Sequence, residues 1–181
     1  AVYLNAALEL EKKKHPNKEI IPAGIFYYQM KDPMVEKTEE DQVQDALLKE
    51  LRPDGLVSSD PEVLNHLDHT GTRSSLAAPF ARNKDGSISK TSRAASRKEF
   101  ELLSSYTRKK TGQLKEEILE GNSKKEPYEL GTSTGCDYCP YHGICGFDEK
   151  IEGCGYRNLV SQKREEIFRL IARELSEWEG E

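Results

Sequence analysis

No apolar run in this sequence is long enough to cross a bilayer. The longest, Ile20 to Tyr28, covers nine residues and contains Pro22, whereas a spanning helix needs about 20. No basic-then-apolar leader opens the chain, so the sequence as it stands carries no secretory signal. Glycine-rich phosphate loops, internal repeats and low-complexity tracts are missing too. Cysteine is scarce, four in 181 residues, which is too few for a disulfide scaffold. Apolar residues make up only 35% against 33% charged, with 27 Lys and Arg facing 32 Asp and Glu. That balance permits a core, though a thin one, and the length fits one domain with a small appendage. The expected compartment is reducing and cytoplasmic, with no membrane partner.

Both ends read as helices. Ala1 to Leu10 is rich in helix formers with apolar residues at helical spacing. Lys12, Lys13 and Lys14 suit a helix C-terminus, and His15-Pro16 stops it. No Ser, Thr, Asp or Asn cap precedes the pattern, so the expectation is a piece of a longer protein. From Ser161 onward, Ile167, Leu170, Ile171, Leu175 and Trp178 form one apolar stripe opposite Arg and Glu. Closure of the chain's own core is the favoured reading of that stripe, ahead of docking on a partner.

Between the ends, Ile20 to Met30 is the best strand candidate, β-branched and aromatic between polar neighbours. Pro22 places its start at a sheet edge or ahead of the pairing. From Lys31 to Glu62 the chain is acidic, ten acidic residues against four basic, with helices expected near 39–51 and 60–67. From Arg82 to Lys125 the balance inverts to twelve basic against six acidic. Asp85-Gly86 has hairpin-turn chemistry, and residues 95–121 read as a helix ended by Gly121-Asn122. Phe100, Leu103, Leu114 and Ile118 mark its expected buried side. Arg97, Lys98, Arg108, Lys109, Lys110 and Lys115 lie along it, either as a solvated face or as one that follows a phosphate backbone.

The informative segment holds the cysteines. Cys136 and Cys139 have the C-x2-C spacing that lets two thiolates of one turn reach the same metal; Cys145 follows, then Cys154. Three soft ligands within ten residues point to a metal or cluster. Zinc wants four tetrahedral ligands, which Cys154 or His142 would complete, although only one C-x2-C knuckle is present. An iron–sulfur cluster also takes four cysteines, at more irregular spacings. Spacing alone leaves the two equal.

These residues carry a resemblance. The C-x2-C-x5-C group, Gly146-Phe147-Asp148 and Gly155-Tyr156-Arg157 resemble the end of the AddB family, subunits of bacterial AddAB helicase–nucleases that process DNA double-strand breaks for recombination. The passage from Ala1 to Asn5 and on to Pro22-Ala23-Gly24-Ile25-Phe26-Tyr27-Tyr28 is similar to the Gln-x-x-x-Tyr helix and following strand of that family's PD-(D/E)XK nuclease domain. The resemblance makes Tyr3 the motif tyrosine, its glutamine just before Ala1. It implies a [4Fe–4S] cluster on Cys136, Cys139 and Cys145, with the fourth ligand upstream. Cys154 matches no family ligand and reads as a free thiol, or as a surrogate ligand in an isolated piece.

The resemblance further implies an α/β fold: a partial restriction-endonuclease-like PD-(D/E)XK core with added helices and a C-terminal cysteine-ligated turn. The segments would be 1–30 for core helix and strand, 31–75 for an acidic helix-rich insertion, 76–130 for a basic hairpin and long helix, 131–157 for the cysteines and 158–181 for the last helix. The implied reaction is Mg-dependent exonuclease cleavage of DNA in an ATP-driven helicase complex with an AddA-like subunit. Its catalytic Asp and (Glu/Asp)-x-Lys would precede Ala1, leaving this piece alone inactive. Asp148-Glu149-Lys150 and Pro53-Asp54 mimic the motif without a strand pair to unite them. Arg97, Arg108, Lys109 and Lys110 would face DNA. The competing reading from another class is a non-catalytic zinc-binding adaptor or nucleic-acid-binding module.

Overall fold

The computed structural model describes residues 1–30, 33–35, 40–70 and 72–179. Parts of the acidic 31–62 stretch, and of the 31–75 and 158–181 segments, lie outside the described residues. The chain divides into two compact units, Ala1–Arg108 and Lys109–Glu181.

The first unit opens with helix α1, Val2–Lys14, ended at His15 with three lysines in its last turn. Strand β1, Gly24–Tyr27, comes next. Pro22 precedes the pairing and β1 is an edge strand, as Pro22 required. Helix α2, Glu40–Glu50, leads into strand β2, Asp54–Ser58. Helix α3, Pro61–Leu67, has Asp60 as its cap, Oδ1 accepting the Glu62 N–H at 2.9 Å, and Pro61 at the first position. Both helices stand where the sequence put them. Strand β3, Ala94–Ala95, then completes a sheet of order β1-β2-β3, the first pair antiparallel and the second parallel.

Between α2 and α3 the sequence marked no strand, yet β2 is the central strand of this sheet. Its five residues, Asp54-Gly55-Leu56-Val57-Ser58, do not alternate apolar and polar, so the period-2 signal of a strand is missing. Its Val57 is fully enclosed and joins Leu64, Ala78, Phe80 and Ala94 in the unit's core, with Phe26, Leu67 and Ile88 against it. Asn83 to Ser87 forms the expected turn, with Gly86 at φ +81° between an Arg82–Ile88 bridge.

Helix α4, Arg97–Leu119, starts in a reciprocal capping box. The Ser96 N–H donates to Glu99 at 2.6 Å, and the Glu99 N–H donates to Ser96 Oγ at 3.3 Å. It ends as the sequence indicated: Gly121 takes φ +77° and the Asn122 N–H reaches the Glu117 carbonyl at 2.9 Å. Its buried side is shorter than expected. Phe100 is buried, whereas Leu114 and Ile118 are exposed. A period-3.6 apolar pattern marks a face that can be covered, and in this chain the covering stops before the helix does.

The second unit has its own small sheet. Strands β4, Tyr128–Leu130, and β5, Ser133–Thr134, form a hairpin turned at Gly131, φ +60°. Helix α5, His142–Cys145, is a single turn, and strand β6, Arg157–Leu159, pairs parallel to β4. Helix α6, Arg164–Glu179, closes the unit, burying Ile171 and Leu175 of its predicted stripe while Ile167 stays exposed.

Candidate functional site

The β4–β5 hairpin delivers the chain straight into the cysteine turn. The Gly135 N–H donates to the Tyr128 carbonyl at 2.9 Å, and a Cβ at Gly135 would press on the Tyr128 ring at 3.3 Å. Thr134 then organises the start of that turn. Its N–H and hydroxyl donate to the Asp137 carboxylate at 2.9 and 2.6 Å, and its Oγ1 accepts the Cys136 N–H at 3.2 Å. These bonds hold the Asp137 carboxyl below its ordinary range. The Cys139 N–H donates to the Cys136 carbonyl at 3.2 Å, so the two thiols of the C-x2-C pair come from one turn. Cys145 is the last residue of α5, ahead of Gly146 at φ +62°.

Three further groups support this turn: Lys125, and Phe147 and Tyr156 of the Gly-Phe-Asp and Gly-Tyr-Arg motifs. The Lys125 ammonium donates to the Cys145 and Gly146 carbonyls at 3.3 and 3.2 Å. The Phe147 and Tyr156 rings meet edge to face with centroids 4.9 Å apart. A hydrogen bond with the Cys136 side chain, and burial after it, push the Tyr156 phenol above its ordinary range. Only the Gly-Phe and Gly-Tyr pairs flanking the cysteines hinted at this aromatic contact.

All four cysteines are free; Cys136, Cys139 and Cys154 are half-buried and Cys145 is exposed. Among the described residues, no three His, Cys, Asp or Glu side chains are arranged to hold a single ion. The donor set itself fits an iron–sulfur cluster, being three thiols with no competing disulfide. A cluster spreads its ligands over several irons, so its thiolates stand farther apart than thiolates on one zinc ion.

The other candidates scatter. Tyr3 lies on α1 and is 91% exposed. Arg97 pairs with Glu19 and Glu101, which raise its pKa. Arg108 pairs with Glu9 at 2.9 Å. In the second unit, Lys110 pairs with Glu174 at 2.7 Å, and Lys109 and Lys110 both lie over the Trp178 ring, 5.2 and 5.1 Å from its centre. Each of the four basic residues expected to face DNA thus has an intramolecular partner. Asp54 has a different setting from the one expected: it opens β2 of a true strand pair, where Arg93 Nη1 contacts both carboxylate oxygens at 2.6 Å. Asp148 lies outside any strand and accepts the Lys150 N–H at 2.9 Å.

The chain is similar, at 37% identity over 178 residues, to the B subunit of the ATP-dependent helicase/deoxyribonuclease of Thermoanaerobacter sp. (strain X514), a match covering 97% of this chain and 15% of that protein. The corresponding helicase/deoxyribonuclease protein of Alkaliphilus metalliredigens is 39% identical over 96% of this chain and 15% of its own length. That of Clostridioides difficile is 37% identical over 94% and 15%. The chain therefore spans about 15% of the length of these relatives. The PD-(D/E)XK nuclease superfamily matches residues 1–146, from the Tyr3 helix through the small sheet to the cysteine turn, and with that match the chain belongs to the PD-(D/E)XK nuclease superfamily.

Proposed function

We propose that this chain is the C-terminal part of the nuclease domain of an AddB-like protein, acting in DNA double-strand break repair by homologous recombination. The observation that carries the reading is the similarity over 97% of the chain to an ATP-dependent helicase/deoxyribonuclease protein, together with the nuclease-superfamily match. In the parent protein the reaction is hydrolysis of DNA phosphodiesters by an exonuclease, coupled to ATP-driven unwinding with an AddA-like partner in the cytoplasm. Mg²⁺, held by an Asp and a (Glu/Asp)-x-Lys outside this chain, would supply Lewis-acid activation of water. Tyr3, projecting from α1, is the one residue of this chain assigned to the catalytic region.

Cys136, Cys139 and Cys145 would hold a [4Fe–4S] cluster, with its fourth thiolate from another part of the parent. The cluster's role is structural, tying the cysteine segment to the rest of the nuclease domain. The free thiols and the shared turn suit a cluster and zinc alike, and the similarity to the helicase/deoxyribonuclease proteins is what favours the cluster.

The test is an ultraviolet–visible spectrum with iron, sulfide and zinc analysis, run on anaerobically purified chain and on the full-length parent, alongside a nuclease assay with Mg²⁺. Iron, sulfide and DNA cleavage in the parent, with no cleavage by this chain alone, are expected. One zinc per chain in both forms, with no cleavage by either, would replace this reading with a zinc-binding adaptor that uses Cys154.

A further inference from the structure

Lys125 serves the backbone of the cysteine set directly. It lies between the end of α4 and the start of β4, 20 residues before Cys145, and its ammonium meets two successive carbonyls, those of Cys145 and Gly146. These belong to the end of α5, a helix too short to satisfy its own last carbonyls. A cation at that end also meets the negative pole of the local peptide dipoles. Gly146 adopts φ +62°, a left-handed conformation that favours glycine, and its carbonyl accepts from the ammonium. Immediately beyond, Phe147 is held by the Tyr156 ring, whose phenol contacts the Cys136 side chain. Lys125 thus holds the backbone at Cys145 and Gly146, and the Tyr156 ring packs on the neighbouring Phe147 side chain.

We propose that Lys125 is a positioning residue for Cys145 as a cluster ligand. It fixes the backbone from which that thiolate projects and supplies a positive charge beside an otherwise anionic ligand set. The proposal rests on the iron–sulfur reading given above. The charge stabilises the reduced, more negative cluster over the oxidised one. Because the Lys125 side chain is exposed, the clamp contributes little to folding in the absence of the cluster, so its two roles can be separated by experiment.

The experiment compares the full-length parent with its Lys125→Met, Lys125→Arg and Lys124→Met variants, each purified anaerobically. It measures iron and sulfide content, the rate at which a ferrous chelator bleaches absorbance near 400 nm, the midpoint potential and the thermal melt of the iron-free protein. Lys125→Met is expected to bleach about 10–100-fold faster, the usual cost of losing a residue that orients a ligand, and to shift the potential negative while the iron-free melt stays unchanged. Lys125→Arg, which keeps charge and donors, and Lys124→Met should both resemble wild type. Iron in the wild type with unchanged bleaching and potential in Lys125→Met overturns the assignment while leaving the cluster intact. A wild-type parent without iron or sulfide overturns both.

Discussion

Asn5 and Ser104, 99 residues apart, hold each other twice. Asn5 Nδ2 donates to the Ser104 carbonyl at 3.0 Å, and the Ser104 hydroxyl donates back to Asn5 Oδ1 at 2.6 Å. Asn5 is only 7% exposed, so the exchange joins α1 to α4 away from bulk water. One turn farther along α1, Glu9 meets Arg108 at 2.9 Å, but that pair is exposed. Two positions along a helix is about 200° of rotation, so Tyr3 points away from α4 while Asn5 points towards it. Replacing Asn5 by Leu should destabilise the chain by about 1–3 kcal/mol, because the Ser104 hydroxyl loses its acceptor. Glu9→Gln should cost under about 1 kcal/mol. Urea midpoints decide the matter: equal small losses would show that the buried exchange adds nothing beyond a surface pair.

Gly55 is the second position where the fold has no slack. Its φ of +136° is open only to glycine, and a Cβ there would stand 2.0 Å from the Ile25 carbonyl oxygen on the paired strand. The obstacle is backbone, so no rotamer change relieves it. Gly55→Ala should cost about 3 kcal/mol or more, combining strain with a forced opening of the β1–β2 pair. An unchanged melting temperature in that variant would mean that the β1–β2 register differs from the one described.

Acid should weaken the first unit through Asp68. This carboxylate, 7% exposed at the end of α3, is bonded by the Ser75 hydroxyl and by Thr70, whose N–H and hydroxyl donate at 2.9 and 2.5 Å. Those bonds, with a smaller contribution from Arg82, hold its pKa below the ordinary value of an aspartate. A depressed folded-state pKa contributes stability that is complete above the unfolded-state value and is lost as pH falls through the folded-state value. Stability should therefore fall below about pH 4. Asp68→Asn should flatten part of that fall and cost about 1–3 kcal/mol at neutral pH. A variant with the same acid dependence as wild type would assign the fall to other carboxylates.

The basic face of α4 gives a sharper test than its charge count does. Triple reversal of Arg108, Lys109 and Lys110 to Glu in the parent should weaken sequence-independent DNA binding and flatten its salt dependence. Glu9→Gln and Glu174→Gln, which free Arg108 and Lys110 from their carboxylates, should instead strengthen binding modestly. Unchanged affinity in the triple variant, with its melt intact, would return these residues to their intramolecular partners alone.

The sequence was most legible where chemistry is local. Helix ends announced by Gly121-Asn122 and by the three lysines before His15 stand where those residues require. The C-x2-C spacing likewise reported one turn on its own. Strand β2 escaped notice because its identity comes from Phe26, Ala94 and Leu64 closing around Val57, contacts spread across the first unit. The Asn5–Ser104 exchange and the Lys125 clamp were hidden for the same reason: one asparagine on an amphipathic helix, or one lysine in a basic stretch, looks like any other until its partner is known. The exposed Leu114 and Ile118 show the reverse, a pattern that specifies a face but cannot say what covers it.

Cys154 separates the family ligand set from its alternatives. It is half-buried, and its N–H donates to the Ile151 carbonyl at 3.0 Å in a turn of its own, apart from the hairpin-to-α5 run that carries Cys136, Cys139 and Cys145. In the parent, Cys136→Ser, Cys139→Ser and Cys145→Ser should each lose most of the iron and the absorbance near 400 nm, since serine is a poor substitute for a soft thiolate. Cys154→Ser should keep both. If Cys154→Ser loses iron as completely as the others, all four ligands lie in this chain and none is needed from elsewhere. The parent's nuclease domain would then lose its proposed staple, because a cluster closed entirely within the second unit ties that segment to nothing upstream.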